Sequence, residues 1–187
     1  MSEMITIDTG ANVVHTERIE PLPLYDENHP MLKEKIPEYD GNLPNESMNT
    51  LIKRLKMTMK KFGGIGLSAN QCGVFQRVFV IGTDNFQFAC INPKVVNKSV
   101  EISKSNEGCL SFPGLFANIE RPEWIEAEFL NENGETVRMR FEGLTARCYL
   151  HELDHMNGIV FTEHMGPVTL QMAKKKQKKI IKTIVRK

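Results

Sequence analysis

The stretch His151-Glu152-Leu153-Asp154-His155 constrains this chain more than any other, because it sets two histidines four positions apart with an acid directly after the first. On a helix, residues at that spacing share a face one turn apart, so both imidazoles can reach a single divalent ion. Glu152 then stands beside the ion without having to bind it, the place of a general base that takes a proton from an activated water. The stretch reads as a hydrolytic metal site; the competing reading is an exposed helix that happens to carry two histidines and two acids.

The remainder must supply a scaffold and whatever the site still lacks. With 187 residues, 41% of them hydrophobic, the chain is long enough for one domain with a substantial core and short for two. No apolar run approaches the roughly 20 residues that span a bilayer, and the N-terminus lacks the basic-then-apolar order of a secretory signal. A cytoplasmic protein is expected. The first twenty residues show neither helical nor alternating pattern, so residues 1–18 are expected to be a poorly ordered lead-in and residues 19–187 a single catalytic domain.

A short extended piece at Leu22 to Tyr25 precedes a loop-rich segment with Pro30, Pro37, Gly41 and Pro44. From Asn45 or Ser47 as N-cap, Met48, Leu51, Ile52, Leu55, Met59 and Phe62 recur at helical spacing, and Gly63-Gly64 ends the run. Strands are expected at 77–81, 88–91 and 94–102, and a hairpin at 124–130 and 135–141 turning on Asn133-Gly134. Leu144, Cys148, His151 and His155 then fall on one stripe of a helix that stops near Gly158. A last helix from about Val168 places Leu170, Ala173, Gln177, Ile180, Ile181 and Ile184 inward. The fold class is α+β: antiparallel sheets around a central metal-binding helix, with an N-terminal amphipathic helix and a basic C-terminal one.

Two histidines need a third protein ligand if one position is to stay open for water. The metzincin pattern puts it ten residues after the first histidine, where Phe161 stands, and His164 comes three residues late. Thermolysin-like sites use a downstream carboxylate, but the only acid after Asp154 is Glu163, too close behind. Upstream, Glu107-Gly108-Cys109-Leu110-Ser111-Phe112-Pro113-Gly114 holds a cysteine in a tight glycine-flanked loop. A thiolate is a strong ligand for Zn²⁺ or Fe²⁺, which makes a Cys109, His151, His155 set; without the histidines Cys109 would read as a buried structural cysteine. Cys72, Cys90 and Cys148 show no CxxC spacing and read as small buried residues, not disulfides.

Gly64-Ile65-Gly66-Leu67-Ser68-Ala69-Asn70-Gln71 lacks the endings of a phosphate loop. Its glycines instead permit close approach of substrate backbone, and Gln71 offers a neutral amide to a developing oxyanion.

Taken in order, GIGLSANQ, EGCLS and HELDH resemble the three signature motifs of the peptide deformylase family, hydrolases that remove the formyl group from the N-terminal methionine of nascent chains. The resemblance spans Ile19 to Lys187, with Ser68 standing where Ala is usual and about eighteen residues preceding the familiar start. It implies that Cys109, His151 and His155 bind the metal, that Glu152 is the acid/base, and that Gln71 and the backbone N–H of Leu110 hold the oxyanion. It implies further that Ile65, Leu144 and Cys148 line the methionine pocket, that Gly66 pairs with substrate backbone, and that Glu107 pairs with Arg121 in support. Cys148 reads equally as packing. Asp154 is expected to support the site from another side of the helix. One divalent metal is implied, Fe²⁺ as the functional ion, with Zn²⁺ or another divalent ion suiting the same donors.

From Val168 onward eight basic residues face no acid, although the net charge is only +1. Such a run reads as a solvated helix face or, by the resemblance, as a ribosome-docking one. N-formylmethionyl nascent peptides are the expected partners, with no membrane and no sequence-specific nucleic-acid binding. The rivals are another HExxH metallopeptidase or amidase, disfavoured by the missing downstream ligand, and a non-catalytic ribosome-associated metal-binding module, disfavoured because every required residue is present.

Overall fold

The computed structural model describes residues 5–8, 13–16, 19–83 and 86–185. Near the N-terminus β1 (Ile5–Asp8) pairs antiparallel with β2 (Val13–Thr16), a pairing the local sequence pattern does not announce. The expectation of poor order for residues 1–18 otherwise falls on residues outside the described set.

Helix α1 (Glu46–Lys61) is capped by Asn45, whose side chain accepts from the Met48 N–H at 2.8 Å, so Asn45 is the N-cap and not Ser47. Its buried stripe is Met48, Ile52, Leu55, Thr58 and Met59. Phe62, expected on that stripe, is 45% exposed because the helix has already ended.

A five-stranded antiparallel sheet follows in the order β3 (Gly66–Ser68), β4 (Val78–Thr83), β5 (Phe86–Lys98), β8 (Trp124–Leu130), β9 (Thr136–Glu142). The two short strands expected at 88–91 and 94–102 are mostly one long strand, β5. Asn92-Pro93 looks like a break in sequence, but Asn92 takes φ 50° and the ladder to β8 absorbs the irregularity as register shifts between Ile91 and Lys94 and between Val95 and Asn97. The β8–β9 hairpin forms as expected, with Gly134 at φ 81° in its turn.

A separate two-stranded ladder joins β6 (Ile102–Gly108) to β7 (Phe116–Pro122). In β7 Ala117, Ile119 and Arg121 face inward and their neighbours outward, the alternation of a half-buried strand. Between the two sheets lies α2 (Gly143–Met156), packed on β3, β4, β8 and β9 of one and β7 of the other. Its Tyr149, fully buried, meets Phe79 edge-on at 5.0 Å and stacks on Phe141 at 5.3 Å, which fixes the helix rotation so that the opposite face carries the histidines. Arg77 holds the far end, donating to the carbonyls of Met156 and Ile36 and to Asn157 Oδ1.

The C-terminal α3 (Pro167–Val185) buries Ala173 and Gln177 and half-buries Leu170 and Ile180. Ile181 is 38% exposed, not inward, because the contact stripe follows 173, 177 and 180. The side chain of Ile184 lies outside the described residues.

Candidate metal centre and cleft

His151 and His155 sit one turn apart on α2, 8% and 1% exposed, with ring centroids 5.1 Å apart. Cys109 enters from the turn after β6, a loop closed by hydrogen bonds from Phe112 N–H to Cys109 O and from Leu115 N–H to Phe112 O. Its Sγ lies 3.3 Å from His155 Nε2, and the Cys109, His151 and His155 ligand atoms all fall within 4.8 Å of one another. A third residue that could hold a metal ion thus reaches the histidine pair from upstream, on a different element.

The electrostatics of this cluster suit a cation. Burial alone would lower His151, but its hydrogen bonds with Cys109 and Glu107 outweigh that and raise it. His155 is held well below the usual range by burial and by the charge on His151. The surroundings call for positive charge that the two rings cannot both supply as protons, and one sulfur with two imidazoles is a donor set that a divalent ion of borderline softness accepts.

Glu107 orients His151: its Oε2 lies 3.1 Å from Nδ1, which leaves Nε2 for the cluster. Arg121 grips the same carboxylate through Nε at 3.0 Å and Nη2 at 3.1 Å, and adds a 2.6 Å hydrogen bond to Asp154 Oδ2. Asp154 also lies 2.8 Å from His164 Nε2, so it supports the network through Arg121.

The sequence reading missed Arg147. It donates to Glu107 Oε1 at 2.7 Å and to the carbonyls of Ile119 and Ser103 at 2.9 Å each. Two buried arginines are thereby balanced by Glu107 and Asp154. The signal was available: Arg147 stands four residues before His151 and so on the same side of α2.

Glu152, 4% exposed, has its carboxyl raised by burial, with the His151 charge and the Ser68 hydrogen bond pulling the other way. Gln71 is held at both ends. Its Oε1 accepts from Ser68 N–H at 2.9 Å, and Nε2 donates to Cys109 Sγ at 3.3 Å and to Ser111 Oγ at 3.2 Å. Anchoring the oxygen leaves the donor end directed at the cysteine.

These groups open into one cleft of about 530 Å³ that also brings together Ile65, Gly66, Leu110, Leu144 and Cys148. Of the residues singled out for this site, His155 and Arg121 stand behind that lining, His155 beside Cys109 and Arg121 against Glu107. Ile65 and Leu144, 41% and 67% exposed, make the rim, while Cys148, 8% exposed and donating to the Ile65 carbonyl oxygen at 3.2 Å, lies deeper. A Cβ at Gly66 would collide with Glu152 Oε1 and come within 2.7 Å of Cys148 Sγ, so any side chain here would push Glu152 and Cys148 from their places.

Fold and side chains together define a class: an α+β protein in which a Cys-His-His cluster, a buried acid and an amide donor share a cleft, the arrangement of a metal-dependent hydrolase. A family model described as polypeptide deformylase matches residues 21–171. The peptide deformylase of Thermotoga maritima is 37% identical over 142 residues, 76% of this chain and 87% of that protein. Among solved structures, a peptide deformylase from Legionella pneumophila superposes with TM-score 0.81 at 32% identity, covering 89% of this chain and 99% of that one. The Met-Ala-Ser-bound class I type b peptide deformylase of Acinetobacter baumannii gives TM-score 0.74 at 29% identity, covering 78% and 98%. The chain belongs to the peptide deformylase family.

Proposed function

We propose that the chain removes the formyl group from the N-terminal formylmethionine of nascent polypeptides by metal-assisted amide hydrolysis. The observation that carries this is the Cys109, His151 and His155 cluster, with Glu152 and Gln71 lining the cleft that Cys109 and His151 open into, in a member of a family whose relatives are named for that activity.

A divalent ion held by Cys109, His151 and His155 would supply Lewis acidity, polarising the formyl carbonyl and making water a nucleophile at neutral pH. Fe²⁺ is the functional ion in this reading, and Zn²⁺ suits the same donors. Glu152 takes the proton of the attacking water and delivers it to the leaving amine nitrogen; a carboxyl raised by burial is suited to both steps. Gln71 Nε2 and the Leu110 backbone N–H donate to the carbonyl oxygen as it gains charge. Ile65, Leu144 and Cys148 receive the methionine side chain, and Gly66, on the open edge of β3, pairs with the substrate backbone. The Met-Ala-Ser ligand of the Acinetobacter relative fits a pocket that reads an N-terminal methionine.

We place the reaction in the cytoplasm, where nascent chains emerge; no helix among the described residues is long and apolar enough to cross a membrane. The lysines of α3, exposed on the face away from the core, support docking on ribosomal RNA phosphates.

The test compares a formyl-methionyl peptide with its acetylated and unblocked forms, using anaerobically prepared protein. Loss of the N-acyl group from the first alone is expected, with no peptide bond cut in any of the three, and Glu152→Gln should keep its metal while losing about 10²–10⁴-fold in turnover. Equal cleavage of the acetylated peptide, or near-normal turnover by the variant, would overturn the reading.

A further inference from the structure

Ser68 is fully buried at the end of β3. Its hydroxyl donates to Glu152 Oε2 at 2.6 Å, with the Glu152 backbone oxygen as a second acceptor at 3.2 Å. Among the described residues it is the side chain that donates to this carboxyl. The other oxygen, Oε1, lies against Gly66 beside the Cys148 sulfur, on the cleft side. A carboxylate free to turn about its last torsion presents either oxygen; one held at Oε2 presents only Oε1. The same residue's backbone N–H fixes Gln71.

From this we infer that Ser68 is a positioning residue for the reaction: its hydroxyl holds Glu152 Oε2 so that Oε1 alone faces the substrate and handles the proton. The inference rests on Glu152 being the acid/base. The backbone N–H to Gln71 Oε1 survives substitution by alanine, threonine or cysteine, so removing the hydroxyl separates the alignment of Glu152 from this hold on Gln71. An alanine costs the site one hydrogen bond to a charged group and little volume.

The experiment is a steady-state series on the metal-loaded enzyme with a formyl-methionyl peptide. Ser68→Ala should lower kcat roughly tenfold while leaving KM, metal content and Tm near those of the parent. Ser68→Thr, which restores a hydroxyl, should recover more of kcat than Ser68→Cys, a weak donor of similar volume. Glu152→Asp draws the carboxylate back from Ser68, so adding Ser68→Ala to it should cost nothing further. An unchanged kcat in Ser68→Ala, a loss shared by KM or metal content, or an undiminished effect in the Glu152→Asp background overturns the inference. If the threonine variant does not fold, the alanine, cysteine and double variants decide alone. Near-normal turnover by Glu152→Gln would instead remove the premise, so the two failures are told apart.

Discussion

Glu107 carries more of the site than its place two residues before Cys109 suggests. Four donors converge on its carboxylate, two from Arg121, one from Arg147 and one from His151. Burial would raise its pKa, but the hydrogen bonds from His151 and Arg121 and the Arg121 charge override that and hold it at about 2 against an ordinary 4.5. A carboxyl whose pKa falls on folding stabilises the fold above its unfolded value, and that contribution is lost as pH drops through the folded one. The window is therefore about pH 4.5 to 2, and a shift of this size corresponds to at most about 3 kcal/mol. Urea unfolding of the chelated protein across that range should show the parent losing stability more steeply than Glu107→Gln, which starts lower at neutral pH because two buried arginines have lost an acid. Parallel pH profiles would mean that the network does not depend on this ionisation. At this scale the residues that cluster at the candidate site were legible, since histidine spacing and the glycine-flanked cysteine carry their own geometry. Some of the contacts that hold them were not: Ser68 and Glu152 are 84 positions apart, and Arg147 and Glu107 are 40, and no local pattern encodes such contacts.

Elements were legible where one face is apolar and the other wet. The alternation of β8 and β9 and the stripe of α1 follow directly from burial. The β6–β7 ladder was harder, because Lys104-Ser105-Asn106-Glu107 is polar throughout and Glu107, its inward residue, is an acid that only the two arginines make tolerable inside. Helix α3 combines two roles that the sequence merges into one basic run. Its inner face braces the cleft: Gln177 Nε2 donates to Pro113 O and Glu27 Oε2, both at 3.2 Å, and Gly114 lies under Ile180. Cutting the helix off would disturb the cleft wall as well as the charge. Changing Lys174, Lys175, Lys178 and Lys179 to glutamate removes only the exposed face. Co-sedimentation of this variant with ribosomes should fall about tenfold or more at low salt, with the parent's binding dropping toward it as salt rises. Turnover on a short formyl peptide should not change. Equal co-sedimentation at every salt concentration would make the lysines a solvated face and nothing more.

Across the whole molecule, the site is where three otherwise separate parts meet: α2 with its histidines, the end of the β6–β7 ladder with Cys109, and the segment after β3 with Gln71. The arginine network already ties the ladder to the helix from behind. An ion shared by Cys109, His151 and His155 would tie them from the front, and since the unfolded chain does not bring these donors together, its binding free energy becomes folding stability. At a free ion concentration a hundred times Kd the gain is about 2.7 kcal/mol, which for a domain of this size moves Tm by roughly 5–10 °C. Chelation should lower Tm by that order, and adding back either Fe²⁺ or Zn²⁺ anaerobically should restore it, because both suit one sulfur and two imidazoles. Turnover separates the ions where stability does not, with Fe²⁺ expected to give the faster enzyme. Cys109→Ser should blunt the Tm response to Zn²⁺, since a hydroxyl replaces the soft donor while the arginine network remains. A Tm indifferent to chelation would mean that the two histidines and the cysteine lie close together without sharing an ion, and the helix that first drew attention would then be a packed element of the core rather than a metal site.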